Sequence, residues 1–235
     1  DVVVAEGSHP TWSLDGKSVV FVDGDSGLQI VDAKASAIPK ALRSTGMSIT
    51  TRMAPVYTNA NAVTFWTGWI VTSDGGSAAQ QRDMHSVTVD LTTFGLVVAG
   101  AFNGDRVGLA HDQAIAPTEI ALSSDGRRGV ATWFTGVWLL DLAGGACARI
   151  GDAVELRHPA ISPDGSVVAY DRADGHVYTR AYGGVETGQS AGQWPSFSGD
   201  GTRVGFCREH SYVLRGLADG VEHSYALPEW LTLRD

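Results

Sequence analysis

Short alternations of apolar and polar residues run through this chain, and Asp-Gly pairs break them at blade-like intervals. Residues 9–21, 119–131, 158–170 and 194–206 superimpose on one pattern. An apolar residue (Trp12, Leu122, Ile161, Phe197) precedes a serine (Ser13, Ser123, Ser162, Ser198). An Asp-Gly pair follows at Asp15, Asp125, Asp164 and Asp200, and a Val-rich run returns to Phe21, Ala131, Tyr170 or Phe206. Residues 53–65 form a degenerate fifth copy, with Val56 and Phe65 in register but Asn59-Ala60 at the turn. An aspartate binds its own backbone and a glycine accepts positive φ, so each copy predicts a tight hairpin between two short strands. A third strand follows each hairpin at residues 28–32, 87–91, 137–141, 177–180 and 212–215, and Gly-rich turns such as Gly144-Gly145 and Gly183-Gly184 lead into a fourth. Four antiparallel strands repeated in this way predict an all-β chain built as a single β-propeller over residues 1–235.

The repeat, most cleanly Ser162-Pro163-Asp164-Gly165 followed by a Val-rich strand, resembles the WD40-like repeat of TolB-type propellers. That resemblance implies a binding scaffold for a protein or peptide partner, placed outside the cytoplasm in a periplasm or secreted. It says little about particular chemistry, because one fold hosts many functions.

The turn residue falls at positions 15, 59, 125, 164 and 200, giving intervals of 44, 66, 39 and 36 residues. Three of these fit one blade each. The 66-residue interval is read as an elaborated second blade, with six blades as the alternative and a candidate extra hairpin near Asn103-Gly104. Residues 1–5, Asp-Val-Val-Val-Ala, are expected to pair with the last blade and close the ring, which would remove exposed sheet edges.

Composition narrows the partners. The 235 residues carry 17 Lys and Arg against 26 Asp and Glu, a net charge of −9, which argues against nucleic acid or an anionic membrane surface. No apolar run reaches the ~18 residues of a membrane span. Cys147 and Cys207 are expected as buried free thiols. A chain beginning at Asp1 is read as a processed protein or a domain of something longer, otherwise a monomer.

The first strand of each blade lies nearest a propeller's axis. Its opening residues, His9, Met53, Glu119, His158 and Trp194, are therefore expected to meet at one channel mouth as a ligand-binding rim. The competing reading is a carbohydrate-binding or carbohydrate-active propeller, metal-dependent through His9, Glu119 and His158. No catalytic residue, cofactor motif or resident metal is assigned. The turn aspartates should ring the opposite face, each spent on its own turn. Gly188-Gln-Ser-Ala-Gly192 matches a nucleophile elbow by letters alone, since no helix is expected after it. Asp23-Gly-Asp-Ser-Gly27 lacks the downstream glutamate of a calcium loop and reads as a hairpin. Most of the seven Trp, including Trp66, Trp133 and Trp138, should fill wedges between blades, while Trp69 and Trp230 are candidate surface anchors.

Overall fold

The computed structural model describes residues 8–13, 15–23, 27–34, 37–41, 51–59, 61–68, 83–93, 96–103, 118–133, 136–152 and 155–227. These form five antiparallel sheets of four strands, arranged as a five-bladed β-propeller, with no helix among the described residues. The first blade holds β1 (Ser8–Trp12), β2 (Ser18–Asp23), β3 (Gly27–Asp32) and β4 (Lys40–Ala41). The second holds β5 (Thr51–Asn59), β6 (Ala62–Gly68), β7 (Asp83–Asp90) and β8 (Leu96–Asn103). The third holds β9 (Glu119–Leu122), β10 (Arg128–Trp133), β11 (Gly136–Asp141) and β12 (Ala146–Gly151). The fourth holds β13 (Leu156–Ile161), β14 (Val167–Arg172), β15 (His176–Ala181) and β16 (Glu186–Ala191). The fifth holds β17 (Gln193–Phe197), β18 (Arg203–Arg208), β19 (Ser211–Gly216) and β20 (Glu222–Ala226).

Within the long second interval β5–β8 form a single four-stranded blade, and Gly104, on which the candidate extra hairpin depends, lies outside the described residues. The fifth blade fills all four strand positions with residues 193–226. Residues 1–5, on which the predicted closure depends, lie outside the described residues, as do Trp69 and Trp230.

The four Ser-x-Asp-Gly hairpins share the same local chemistry. Ser13, Ser123, Ser162 and Ser198 each donate their hydroxyl to the aspartate two residues on, at 2.6–2.7 Å. That carboxylate accepts the next turn's N–H from Lys17, Arg127, Ser166 or Thr202 at 3.0–3.1 Å. Glycine follows in the left-handed region, with φ between 67° and 70°, where a side chain would be strained. In the degenerate copy Asn59 accepts the N–H of Asn61 at 2.8 Å and so mimics the aspartate. These bonds hold the Asp15 and Asp200 carboxyls down at about 2, through the serine hydroxyl first and the turn N–H next. A carboxyl depressed in the folded chain lends stability above its unfolded value and loses it as pH falls through the folded one. Melting temperature should therefore drop between about pH 4 and pH 2, and Asp200→Ala should flatten that slope in a thermal series across the window.

The core sits between blades rather than within them. Val20, Val22 and Leu28 of the first blade pack on Val63, Phe65 and Val87 of the second. Trp66 of the second meets Leu122, Trp133 and Leu140 of the third. Val130 and Leu139 of the third meet Leu156, Val168 and Tyr170 of the fourth, and Ala169 and Val177 of the fourth meet Val204, Phe206 and Val213 of the fifth. Both sheet faces must then be apolar, which explains continuous runs such as Val130-Ala131 and Val168-Ala169-Tyr170. Turn-to-blade bonds add register: Ser86 donates to the Gly126 carbonyl at 2.6 Å and Arg128 to the Gly165 carbonyl at 3.0 Å. Neither Cys147 nor Cys207 is in a disulfide, and both are half-buried, so burial is less complete than expected, though it still pushes the Cys207 thiol up.

Candidate functional site

The aligned column Trp12, Val56, Leu122, Ile161 and Phe197 converges on one central cavity of about 1050 Å³. Each comes from the innermost strand of a different blade, so the sequence repeat becomes a ring around a shared axis. The cavity runs toward the Asp-Gly turns, reaching Ser13, Ser124, Pro163 and Asp200. Its described lining does not include Glu119, His158 or Trp194, which stand at the other end of the same strands.

At that other end proline shapes the rim. Ladder pairing slips between Ser8 and Thr11, Met53 and Val56, Arg157 and Ala160, and Gln193 and Ser196. Pro10, Pro55, Pro159 and Pro195 fall inside these four slips, since a residue without an N–H cannot continue the ladder and a bulge results. The third blade has no proline there, and Glu119 to Leu122 pair without a break. The bulges re-aim the residue before the proline: His158 and Trp194 sit at φ 49° and 60°, a costly conformation for side chains of this size.

Three of the five predicted rim residues are thereby brought together. The rings of His158 and Trp194 stack with centroids 3.5 Å apart. Glu119 Oε2 accepts the His158 backbone N–H at 3.1 Å, and its Oε1 lies 3.9 Å from His158 Nε2. The backbones of His9 and Met53 occupy the matching places in β1 and β5, while their side chains lie outside the described residues.

The rim also contains a residue that the repeat alignment passed over. His158 Nδ1 is 2.7 Å from Oδ1 of Asp171, whose side chain is wholly buried. Burial pushes the Asp171 carboxyl up, against the pull of the His158 hydrogen bond and of Arg157, whose Nε is 4.0 Å from Oδ2. With Asp171 ionised and the imidazole neutral, the proton resides on Nδ1, leaving Nε2 as an acceptor on the Glu119 side. A sequence signal for Asp171 did exist. The column one residue past the returning strand's apolar marker reads Val22, Trp66, Thr132, Asp171 and Cys207, and one member alone is charged.

The residue facing His158 Nε2 is a carboxylate rather than a hydroxyl or thiol, so the pair lacks the partner that would make it a nucleophilic centre. Among the described residues no three of His, Cys, Asp or Glu are placed to hold a metal ion. The elbow-like Ser190 lies on β16, where it donates to Glu222 Oε1 at 3.1 Å and contacts Arg215, a seam contact rather than a nucleophile on a strand-to-helix turn. No helix of the described residues is long and apolar enough to cross a membrane.

The structure is a five-bladed propeller in which three successive blades bring an acid, an imidazole and an indole into one cluster. No protein-family model matches the chain, and no curated protein matches it.

Proposed function

We propose that this protein is a non-catalytic binding scaffold that receives a protein or peptide partner at the channel mouth, outside the cytoplasm, as the TolB-type propellers its repeats resemble do. The observation that carries this reading is the convergence of Glu119, His158 and Trp194 from three successive blades onto one patch. Trp194 keeps 38 % of its surface exposed although it is stacked, which is the behaviour of an aromatic anchor rather than a core residue. Strained backbone at His158 and Trp194 supports the same reading, since such strain collects where side chains must be held in place. A carbohydrate partner is the second reading, favoured by the flat indole beside a carboxylate.

The test is to pan a random peptide library on the whole chain. Selected peptides should lose about tenfold or more in affinity on Trp194→Ala and keep it on Lys34→Ala, at an exposed turn of the first blade. Dependence on Trp12→Ala instead would place binding at the Asp-Gly end and overturn this assignment. Selection of no specific peptide, with saturable binding of an oligosaccharide, would transfer the function to the second reading.

A further inference from the structure

We infer that the channel mouth recognises a cation carried by the partner, the guanidinium or ammonium of an Arg or Lys side chain. The inference rests on reading the mouth as the partner's site and adds the chemistry that the site selects.

Hydrogen-bond capacity at the rim is one-sided. Asp171 Oδ1 lies 2.7 Å from His158 Nδ1, and in the neutral tautomer that donates this bond Nε2 is an acceptor. Glu119 Oε1 lies 3.9 Å from that nitrogen, too far for a bond between them and close enough for one ligand atom to reach both. Glu119 Oε2 is committed to the His158 N–H, which fixes the carboxylate in position. Arg157, the neighbour of His158 in sequence, has its Nε 4.0 Å from the buried Asp171 Oδ2. With Nε2 unprotonated, the two atoms are facing acceptors that a group with at least two N–H donors can bridge. An ammonium or guanidinium satisfies both, whereas a single hydroxyl can donate to one only.

The neighbouring ring agrees with this. Trp194 lies flat on His158, the residue that Glu119 also contacts, and stays partly exposed, so a cation at this cluster can also meet an aromatic ring. The long-range field points the same way, since a net charge of −9 draws cationic partners toward the molecule.

The experiment uses the full chain and two probes that differ in charge and little else, N-acetyl-argininamide and N-acetyl-citrullinamide, followed by Trp fluorescence and by shifts of the indole and imidazole resonances. The arginine probe should saturate, perturbing Trp194 and His158, and the citrulline probe should bind about tenfold more weakly or worse. Glu119→Gln keeps the shape and the bond from the His158 N–H, so it should leave the melting temperature near that of the parent while erasing the preference. Equal binding of the two probes, a preference that survives Glu119→Gln, or no saturable binding of the arginine probe would each overturn the inference. Library peptides that need Trp194 yet contain no Arg or Lys would sink the cation and spare the peptide reading. Arginine selectivity at the mouth without any mouth-dependent peptide would do the reverse.

Discussion

Trp66→Ala should cost about 3–5 kcal/mol, read as a fall in the urea midpoint at unchanged slope, while Trp66→Phe should cost no more than about 2 kcal/mol. Trp66 is wholly buried in the seam between second and third blades, against Leu122, Trp133 and Leu140. Truncation to Ala removes the whole ring from a seam that neighbouring sheets cannot close without shifting, so the lost transfer energy and the cavity add together. Phenylalanine keeps most of the fill. It also removes the indole Nε1, a buried donor with no hydrogen-bond partner, and that relief offsets part of the lost contact. Comparable losses for Ala and Phe would mean that the seam depends on the shape of the indole rather than on its volume.

His158→Ala should destabilise by about 3 kcal/mol near neutral pH, and adding Asp171→Ala should restore a large part of it. The reason is the position of Asp171: its carboxylate is wholly buried, and His158 is its hydrogen-bond partner. Without the imidazole the buried charge keeps only Arg157 and the Trp194 backbone N–H to offset it, and both Asp171 Oδ2 and Arg157 Nε are already without a hydrogen bond. The pH dependence has a definite sign. Burial raises the Asp171 carboxyl in the folded state, so the folded chain binds that proton more tightly than the unfolded chain, and stability falls as pH rises through the folded value. Removing His158 takes away a pull in the opposite direction. The deficit of His158→Ala relative to the parent should therefore shrink on acidification, whereas the turn aspartates lose stability over the same descent. A double-mutant cycle at two pH values separates the two, and a deficit that does not change with pH would show that His158 acts through packing on Trp194 alone.

Much of the architecture was written in local chemistry. The Ser-x-Asp-Gly module needs only its own side chains and backbone, so four hairpins could be placed from residue order, and Asn59 marked the fifth by the same capping bond. The apolar column from Trp12 to Phe197 marked the innermost strands, and Trp66 and Trp133 were correctly expected between blades. Five blades followed from the spacing, with the 66-residue interval as the uncertain one, because strand connections of any length leave the hydrophobic pattern unchanged.

The candidate site was legible only in part. Equivalent positions pointed to Glu119, His158 and Trp194, but their contacts depend on bulges at Pro159 and Pro195 that turn two side chains toward each other. Asp171 was missed because its partner, though only 13 residues away, lies across a strand pair whose register the bulge shifts. The large cavity, too, extends toward the end of the channel opposite the rim that the strand-opening positions had favoured.

By itself, then, the order of residues determined the hairpins, the strand faces and the number of blades, since these depend on turn bonds and on burial patterns within a few residues. Tertiary packing decided which rim side chains touch, that a buried carboxylate bonds the imidazole, and where the large cavity lies. Those outcomes rest on contacts between blades and on bulged strands, whose geometry exists only once neighbouring sheets press against one another.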